Sequence, residues 1–342
     1  MQKTEINKRV TKMEELLQGM RAIAEPTRIR ILVLCAHSEL TVSELVQILG
    51  QSQPRVSRHL RLMVEAGVLQ RHQEGTWAWY RLANKLAPIA GGGRAANRVA
   101  QMAADLIDLI PEEDPVVSRD LERLEGIRQE RARIAEEYFT RNAEDWGRIR
   151  ALHVDEGQVN DAVQAAFAKA PVQRLLDIGT GTGSVLRLLG DHIQSGTGVD
   201  QSPQMLSIAR SALDRAQLTH CQVRQADMYQ LPYDAGSFDA ACLHMVLHYA
   251  EEPAVALREA ARVLEAGGRL VVVDFAPHNV AELHSRHAHR WPGFSDDQVV
   301  GWMLDAGLEN PEIKHMEGGP LTVTLWEATQ SVEARNAKKG AI

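Results

Sequence analysis

Cysteine is scarce in this 342-residue chain: Cys35, Cys221 and Cys242 lie far apart, each in an apolar run. That usage argues for reduced core thiols and against a disulfide framework or a thiolate metal site. No run of eighteen apolar residues and no N-terminal signal pattern occurs, so a soluble, cytoplasmic protein without a membrane partner is expected. Positive charge is short overall, with a net −7, yet it is unevenly placed. Residues 1–90 carry 13 Lys or Arg against 8 Asp or Glu, a balance of +5, which leaves 25 against 37, or −12, for the rest. The basic end is where an anionic polymer would bind. A hydrophobic content of 44% is enough to fill two cores.

What is present centres on Leu175-Leu176-Asp177-Ile178-Gly179-Thr180-Gly181-Thr182-Gly183, followed by a helical pattern from Val185 to Leu189. An apolar run ending in an acid, three alternate glycines and a helix start predict a buried strand, a tight loop and a ligand cradle. Glycine lets the backbone approach a ligand, and the first N–H groups of a helix lack internal partners. A dinucleotide fingerprint needs G-x-G-x-x-G, and here Ser184 stands where its third glycine would fall. Asp177 at the strand's lip would repel a pyrophosphate and suits a ligand bearing an ammonium and a sulfonium, which favours S-adenosylmethionine (SAM) over NAD.

Two further acids extend the pattern. The strand from Gly196 ends in Asp200, 21 residues beyond Gly179, where a carboxylate accepts from ribose hydroxyls. Asp227, in Gln225-Ala226-Asp227-Met228, is placed for an adenine amino group with Met228 against the ring. After the fourth strand comes His244-Met245-Val246-Leu247-His248-Tyr249. His244 and His248 either serve as a general base, since imidazole titrates near neutral pH, or only shape the pocket. His284, His287 and His289 have metal-like spacing without an acid or thiol to complete a site, so no metal is expected.

On these motifs, with Gly198-Val199-Asp200, Phe238-Asp239-Ala240-Ala241 and Gly267-Gly268-Arg269-Leu270-Val271-Val272-Val273, residues from about 135 to 328 resemble class I SAM-dependent methyltransferases. The resemblance implies SAM or S-adenosylhomocysteine (SAH) as ligand. It also implies contacts at Asp177, Gly179, Gly181, Gly183, Asp200, Asp227 and Met228, with Gln201, Met205, Ala226 and His244 beside them. Tyr138, Phe139 and Trp146 lie at the start of this region, just before the SAM fold itself; a helix there either closes over the cofactor or packs its aromatics into the core. The arsenic-methylating enzymes use several active-site cysteines, which Cys221 and Cys242 do not supply.

In the basic end, Pro26 opens a helix over Thr27–Cys35, Thr41-Val42-Ser43-Glu44 forms a capping box, and Gly50 stops the helix that follows. A second helix runs from about Pro54 to Glu65, its stripe Val56, Leu60 and Met63, with Arg55, Ser57, Arg58, His59 and Arg61 lying away from it. A basic outer face on the second of two short helices fits a helix-turn-helix reading the major groove. Val68–His72 and Thr76–Leu82 flank Glu74-Gly75 as a wing, from which Arg71, Thr76 and Arg81 would reach phosphate while Trp77 and Trp79 pack beneath.

Through Glu25-Pro26-Thr27-Arg28-Ile29-Arg30-Ile31-Leu32, Ser57-Arg58-His59-Leu60 and Glu65-Ala66-Gly67-Val68-Leu69, residues from about 18 to 90 resemble the ArsR winged-helix repressors. That implies a homodimer on a double-stranded inverted-repeat operator, contacted by Ser52, Gln53, Arg55, Ser57, Arg58, His59, Arg61, Arg71 and Thr76. Metal-sensing members carry cysteines at the start of the helix before the turn. Here the stretch is Glu39-Leu40-Thr41-Val42-Ser43-Glu44-Leu45, and hydroxyls do not replace thiolates for a soft metal.

Between the two parts, Gly91-Gly92-Gly93 marks a break, and Val99, Met102, Ala103, Leu106 and Leu109 form a stripe that either dimerises or packs on the winged domain. A helix rich in Arg and Glu from Ser118 to about Arg141 is expected to present mostly a solvated face. The expected organisation is an α+β winged helix-turn-helix at 1–90, a helical dimerisation or linker region at 91–150, and an α/β Rossmann-like domain with a mostly parallel seven-stranded sheet at 151–342. The whole resembles SAH-responsive regulators of the methionine and SAM cycle. The alternative is an active small-molecule methyltransferase whose DNA-binding domain is regulatory or vestigial. An evident base is not required for catalysis, because alignment with an activated methyl supplies most of the acceleration.

Overall fold

The computed structural model describes residues 2–74, 76–83, 97–111, 113–141, 155–278, 290–317 and 321–331; side chains are described from residue 13, except at 97, and within the helix ending at 141 for residues up to 134 and for 137. These residues fall into two compact units, the first drawn from 1–86, 93–133 and 214–219 and the second from 134–213 and 220–342.

The first unit comprises α1 (Gln2–Ile23), α2 (Pro26–His37), β1 (Leu40–Thr41), α3 (Val42–Leu49), α4 (Gln53–Glu65), β2 (Leu69–Glu74), β3 (Trp77–Leu82), α5 (Asn97–Ile107) and α6 (Pro115–Arg141). Its three strands form an antiparallel sheet in the order β1-β3-β2. The start of α3 is set locally: the Thr41 hydroxyl accepts from Glu44 N–H at 3.3 Å while Glu44 Oε2 accepts from Thr41 N–H at 2.8 Å, so two otherwise orphaned donors are satisfied. Gly50, at φ +65°, ends the helix in the left-handed region. Ile31, Leu45, Ile48, Val56, Leu60 and Met63 are wholly buried at the centre, and Val99 and Ala103 of α5 with Leu124 and Ile127 of α6 close the same core. The apolar stripe on α5 is thus spent on its own unit, except Leu109, which stays exposed.

The charges of α6 mostly form the expected solvated face, with Arg119, Glu122, Glu125, Glu130 and Arg133 exposed, but a few turn to partners in the unit. Arg30 forks onto Asp120 at 2.6 and 2.8 Å, and that partnership raises the guanidinium above its usual value. Arg123 donates to the Ile48 carbonyl at 2.6 Å and Arg128 to the His37 carbonyl at 2.7 Å. These are the last turns of α3 and α2, whose terminal carbonyls have no partner within the helix, and a guanidinium satisfies both the hydrogen bond and the dipole.

The second unit comprises α7 (Glu156–Ala168), β4 (Val172–Ile178), α8 (Ser184–Leu189), β5 (Ile193–Asp200), α9 (Pro203–Arg215), β6 (Cys221–Gln225), β7 (Phe238–His244), α10 (Pro253–Val263), β8 (Leu264–Phe275), α11 (Asp296–Asp305), β9 (Leu308–Met316) and β10 (Val323–Gln330). The strands form one seven-stranded sheet in the order β6-β5-β4-β7-β8-β10-β9. β10 alone runs antiparallel, to both β8 and β9, as the closing hairpin of a doubly wound fold. In register, Asp177 stands opposite Gly198 on one side and Cys242 on the other, so the carboxyl ends of β4, β5 and β7 open on one edge, where ligands bind in such sheets. Cys35, Cys221 and Cys242 are buried and form no disulfide, and burial raises the thiols of Cys35 and Cys242. No described helix is long and apolar enough to cross a membrane.

Candidate functional site

At that edge lies a cavity of about 540 Å³. The loop after β4 supplies Gly179, Thr180, Gly181, Thr182 and Ser184; the end of β5 supplies Val199, Asp200 and Gln201; α9 supplies Met205; and the turn after β6 supplies Ala226 and Met228. His244, Met245, Val246, His248 and Tyr249 close it beyond β7, with Phe275 at the end of β8.

The loop's path requires glycine at two places for different reasons. Gly179 has φ +72°, and a Cβ there would stand 2.2 Å from Val246 Cγ2. Gly181, at φ +52°, has nothing within 4 Å of where a Cβ would be, so its missing side chain is open cradle. Asp200 orients this loop: Oδ2 accepts from Gly181 N–H at 3.0 Å and Oδ1 from Ser202 N–H at 2.8 Å.

Asp177 is placed differently from expectation. It is 1% exposed and absent from the cavity wall, because it lies within β4 between two neighbouring strands. The Thr180 hydroxyl donates to its Oδ2 at 2.6 Å, and Oδ1 is buried without a hydrogen-bond partner. Burial pushes this carboxyl up to about 7, against the pull of Thr180 and with the charge of Asp200 adding to the rise. Gly183 is likewise not on the wall; it starts α8 at φ +77°, where a Cβ would meet Ala209 at 3.3 Å. Asp227 is exposed and off the wall, its Oδ1 accepting from Tyr229 N–H at 3.0 Å, while its neighbours Ala226 and Met228 face the cavity. The side chains of Tyr138 and Phe139, together with Trp146 and the histidines at 284, 287 and 289, lie outside the described residues. Among the described residues no cluster of three His, Cys, Asp or Glu could hold a metal.

Sequence reasoning missed Asp274. It is wholly buried, and Nδ1 of His248 lies 2.7 Å from its Oδ1. The available signal was an acid near the end of a buried apolar strand, the same one that marked Asp177. Also missed was Met245, which takes φ +53° on the wall with its N–H bonded to Val273 O at 2.8 Å.

In the first unit, α4 buries Val56, Leu60 and Met63 and exposes Gln53, Arg55, Arg58 and Arg61, with Ser52 exposed at its N-cap. Ser57 is half-buried. His59 turns inward: its side chain is 12% exposed and Nδ1 lies 3.9 Å from Glu25. Burial lowers the imidazole, against the attraction of Glu25, and the neighbouring arginine charges lower it further. On the wing, Arg71 and Thr76 are exposed, and Arg71 donates to Gln73. Arg81 is only 7% exposed, which removes it from a phosphate-facing surface. Trp79 packs with the Arg131 guanidinium 5.2 Å above its ring, whereas Trp77 is 57% exposed.

Comparison with known proteins places both parts. A methyltransferase-domain model matches residues 176–272, and the model of the bacterial regulatory proteins of the arsR family matches 25–71. Demethylmenaquinone methyltransferase of Thermus thermophilus is 39% identical over 120 residues, 34% of this chain and 53% of that protein. The Thermotoga maritima protein of the same name is 31% identical over 169 residues, 47% of this chain and 69% of that one. An uncharacterized methyltransferase of Bacillus subtilis, YcgJ, is 29% identical over 142 residues, 41% and 55% of the two chains. The solved YcgJ structure aligns at 17% identity and a TM-score of 0.44, over 50% of this chain and 96% of that one. The chain thus spans about half the length of several curated relatives it matches.

Proposed function

We propose that this chain, which belongs to the methyltransferases and carries an arsR-family DNA-binding domain ahead of its methyltransferase domain, is a transcriptional regulator whose SAM or SAH occupancy sets its affinity for an inverted-repeat operator. One observation carries the reading: a glycine cradle open at Gly181 and backed by Asp200 occurs in the same chain as an α4 face exposing Arg55, Arg58 and Arg61. The fit to an adenosyl ligand is supported from two sides. Gly181 leaves room for close backbone approach, and Asp200 stands on the wall for ribose hydroxyls. Met205 and Met228 would flank the adenine.

On the reader, Arg55, Arg58, Arg61 and Arg71 would meet phosphates and bases, with Ser52, Gln53 and Thr76 beside them. Met13, Leu17 and Met20 are exposed at helical spacing on α1, an apolar stripe that supports a second copy as partner. Coupling requires two states that bind the ligand unequally, and control of methionine-cycle genes is the role that fits SAH sensing.

The test is calorimetry of the full chain against SAM and SAH, repeated with operator-bearing DNA at fixed salt. Reciprocal change of the two affinities supports the proposal; ligand binding with no change in DNA affinity refutes it. A second reading, catalysis on a small acceptor, is favoured by His248 on the wall of the same cavity, in contact with the buried Asp274.

A further inference from the structure

Trp77 is a large apolar side chain of the wing that the core of its unit leaves in water. β3 pairs with β1 only through Trp79 and Tyr80, so the last two pairs of the β2–β3 ladder, Gln73 with Ala78 and Glu74 with Trp77, extend beyond the third strand as a two-stranded ribbon. Trp77 and Trp79 lie on the same face of β3. Trp79 is covered by the Arg131 guanidinium, while Trp77, two residues further out, is 57% exposed. The root of the ribbon is fixed beside α4, since Val68 N–H donates to the Met63 carbonyl at 2.9 Å. Among its described residues the exposed side chains are Arg71, Gln73, Thr76 and Trp77. Its one acid, Glu74, is 6% exposed and lies 3.5 Å from His72. The exposed part of the ribbon is thus cationic and apolar and presents no carboxylate of its own to a polyanion.

We infer that Trp77 is a specificity-determining contact to double-stranded DNA, its indole entering the minor groove beside the major groove that α4 occupies. The inference rests on the reading of α4 as the DNA-binding helix. An element rooted at the end of a helix in the major groove reaches the flanking backbone and the adjacent minor groove. That groove is about 6 Å wide, too narrow for a helix and open to a flat ring entering edge-on. Apolar side chains placed there add affinity by leaving water and by wedging against base steps. The indole N–H is a donor only. A·T pairs show only acceptors in the minor groove, adenine N3 and thymine O2, whereas guanine adds an amino donor that opposes the indole. Trp77 therefore selects A·T pairs at a flank that α4 does not read. A protein surface would also accept an exposed indole; the cationic ribbon and its continuity with Arg55, Arg58 and Arg61 on α4 favour DNA.

The experiment takes the full chain labelled with fluorotryptophan and two probes, short duplexes of alternating A·T pairs and of alternating G·C pairs, at low fixed salt. Trp77→Phe identifies the fluorine resonance of Trp77 by its absence. On the A·T duplex that resonance is expected to move and to lose its solvent isotope shift. Trp77→Ala should weaken A·T binding about tenfold or more and G·C binding less than about threefold, each relative to wild type on the same duplex. Its salt slope and Tm should match wild type, because neither a phosphate contact nor core packing is removed. A Trp77 resonance that stays solvent-exposed in the A·T complex, which needs no alanine variant, overturns the inference. So does an equal loss on the two duplexes, or wild-type affinity of Trp77→Ala. Shielding of Trp77 in the DNA-free chain as protein concentration rises marks a protein partner and overturns it too. Failure of the wild type to bind either duplex overturns the parent reading as well, which separates the two.

Discussion

Arg131 donates from Nε to one carboxylate oxygen of Glu44 and from Nη2 to the other, each at 2.9 Å. Glu44 is also the acid of the capping box that starts α3, and the same guanidinium lies over Trp79 of the wing and donates to the Glu39 carbonyl. One side chain of α6 therefore holds the first helix of the reader, the turn before it and the base of the wing.

Arg131→Ala is expected to destabilise the protein by about 2–4 kcal/mol, because it strands a partly buried carboxylate and a carbonyl. Arg131→Lys should recover less than half, since an ammonium cannot fork. Urea unfolding measures both, and a loss under about 0.5 kcal/mol for the alanine variant would sink the assignment.

The two loop glycines should separate stability from binding. Gly179→Ala drives a Cβ into Val246 and is expected to cost about 4 kcal/mol or more. Gly181→Ala meets no atom and should cost only about 1–2 kcal/mol for its left-handed backbone, while weakening SAM at least tenfold by filling the cradle. Equal losses of stability in the two variants would contradict this.

Asp177 makes stability depend on pH. Its carboxyl stands at about 7 in the folded chain, above the unfolded value, so the native state holds a proton that the unfolded chain releases. Its contribution is intact below about pH 4 and falls as pH rises toward 7, by at most about 1.4 kcal/mol per pH unit. Unfolding measured from about pH 5 to 8 should show this slope in the wild type and a flatter one in Asp177→Asn. Parallel slopes in the two proteins would refute the assignment.

On the reader, exposed Arg58 and buried Arg81 should behave oppositely. Arg58→Ala is expected to weaken DNA binding and reduce the salt slope by about 1 with Tm unchanged. Arg81→Ala should lower Tm and leave the salt slope alone. A wild-type salt slope for Arg58→Ala would remove that residue from the interface.

Interactions that close within a few residues were legible in the chain alone. The capping box at Thr41 and Glu44, the left-handed stop at Gly50, the β4-loop-α8 cradle and the alternation of strand and helix depend on local geometry and hydrophobic period, and they stand as the residues imply. Asp200 belongs with these, since an acid ending a strand beside a glycine loop has few other places to go. Tertiary packing decided the rest. His248 and Asp274 meet across 26 positions, and Arg131 and Glu44 across 87; no spacing rule connects them, because the sheet order and the docking of α6 bring them together. Asp177, His59 and Arg81 carry charge or polarity that sequence assigns to a surface, yet neighbouring strands and helices bury all three. A side chain's type limits what it can do, but which of its possible partners it finds is set by the elements packed around it.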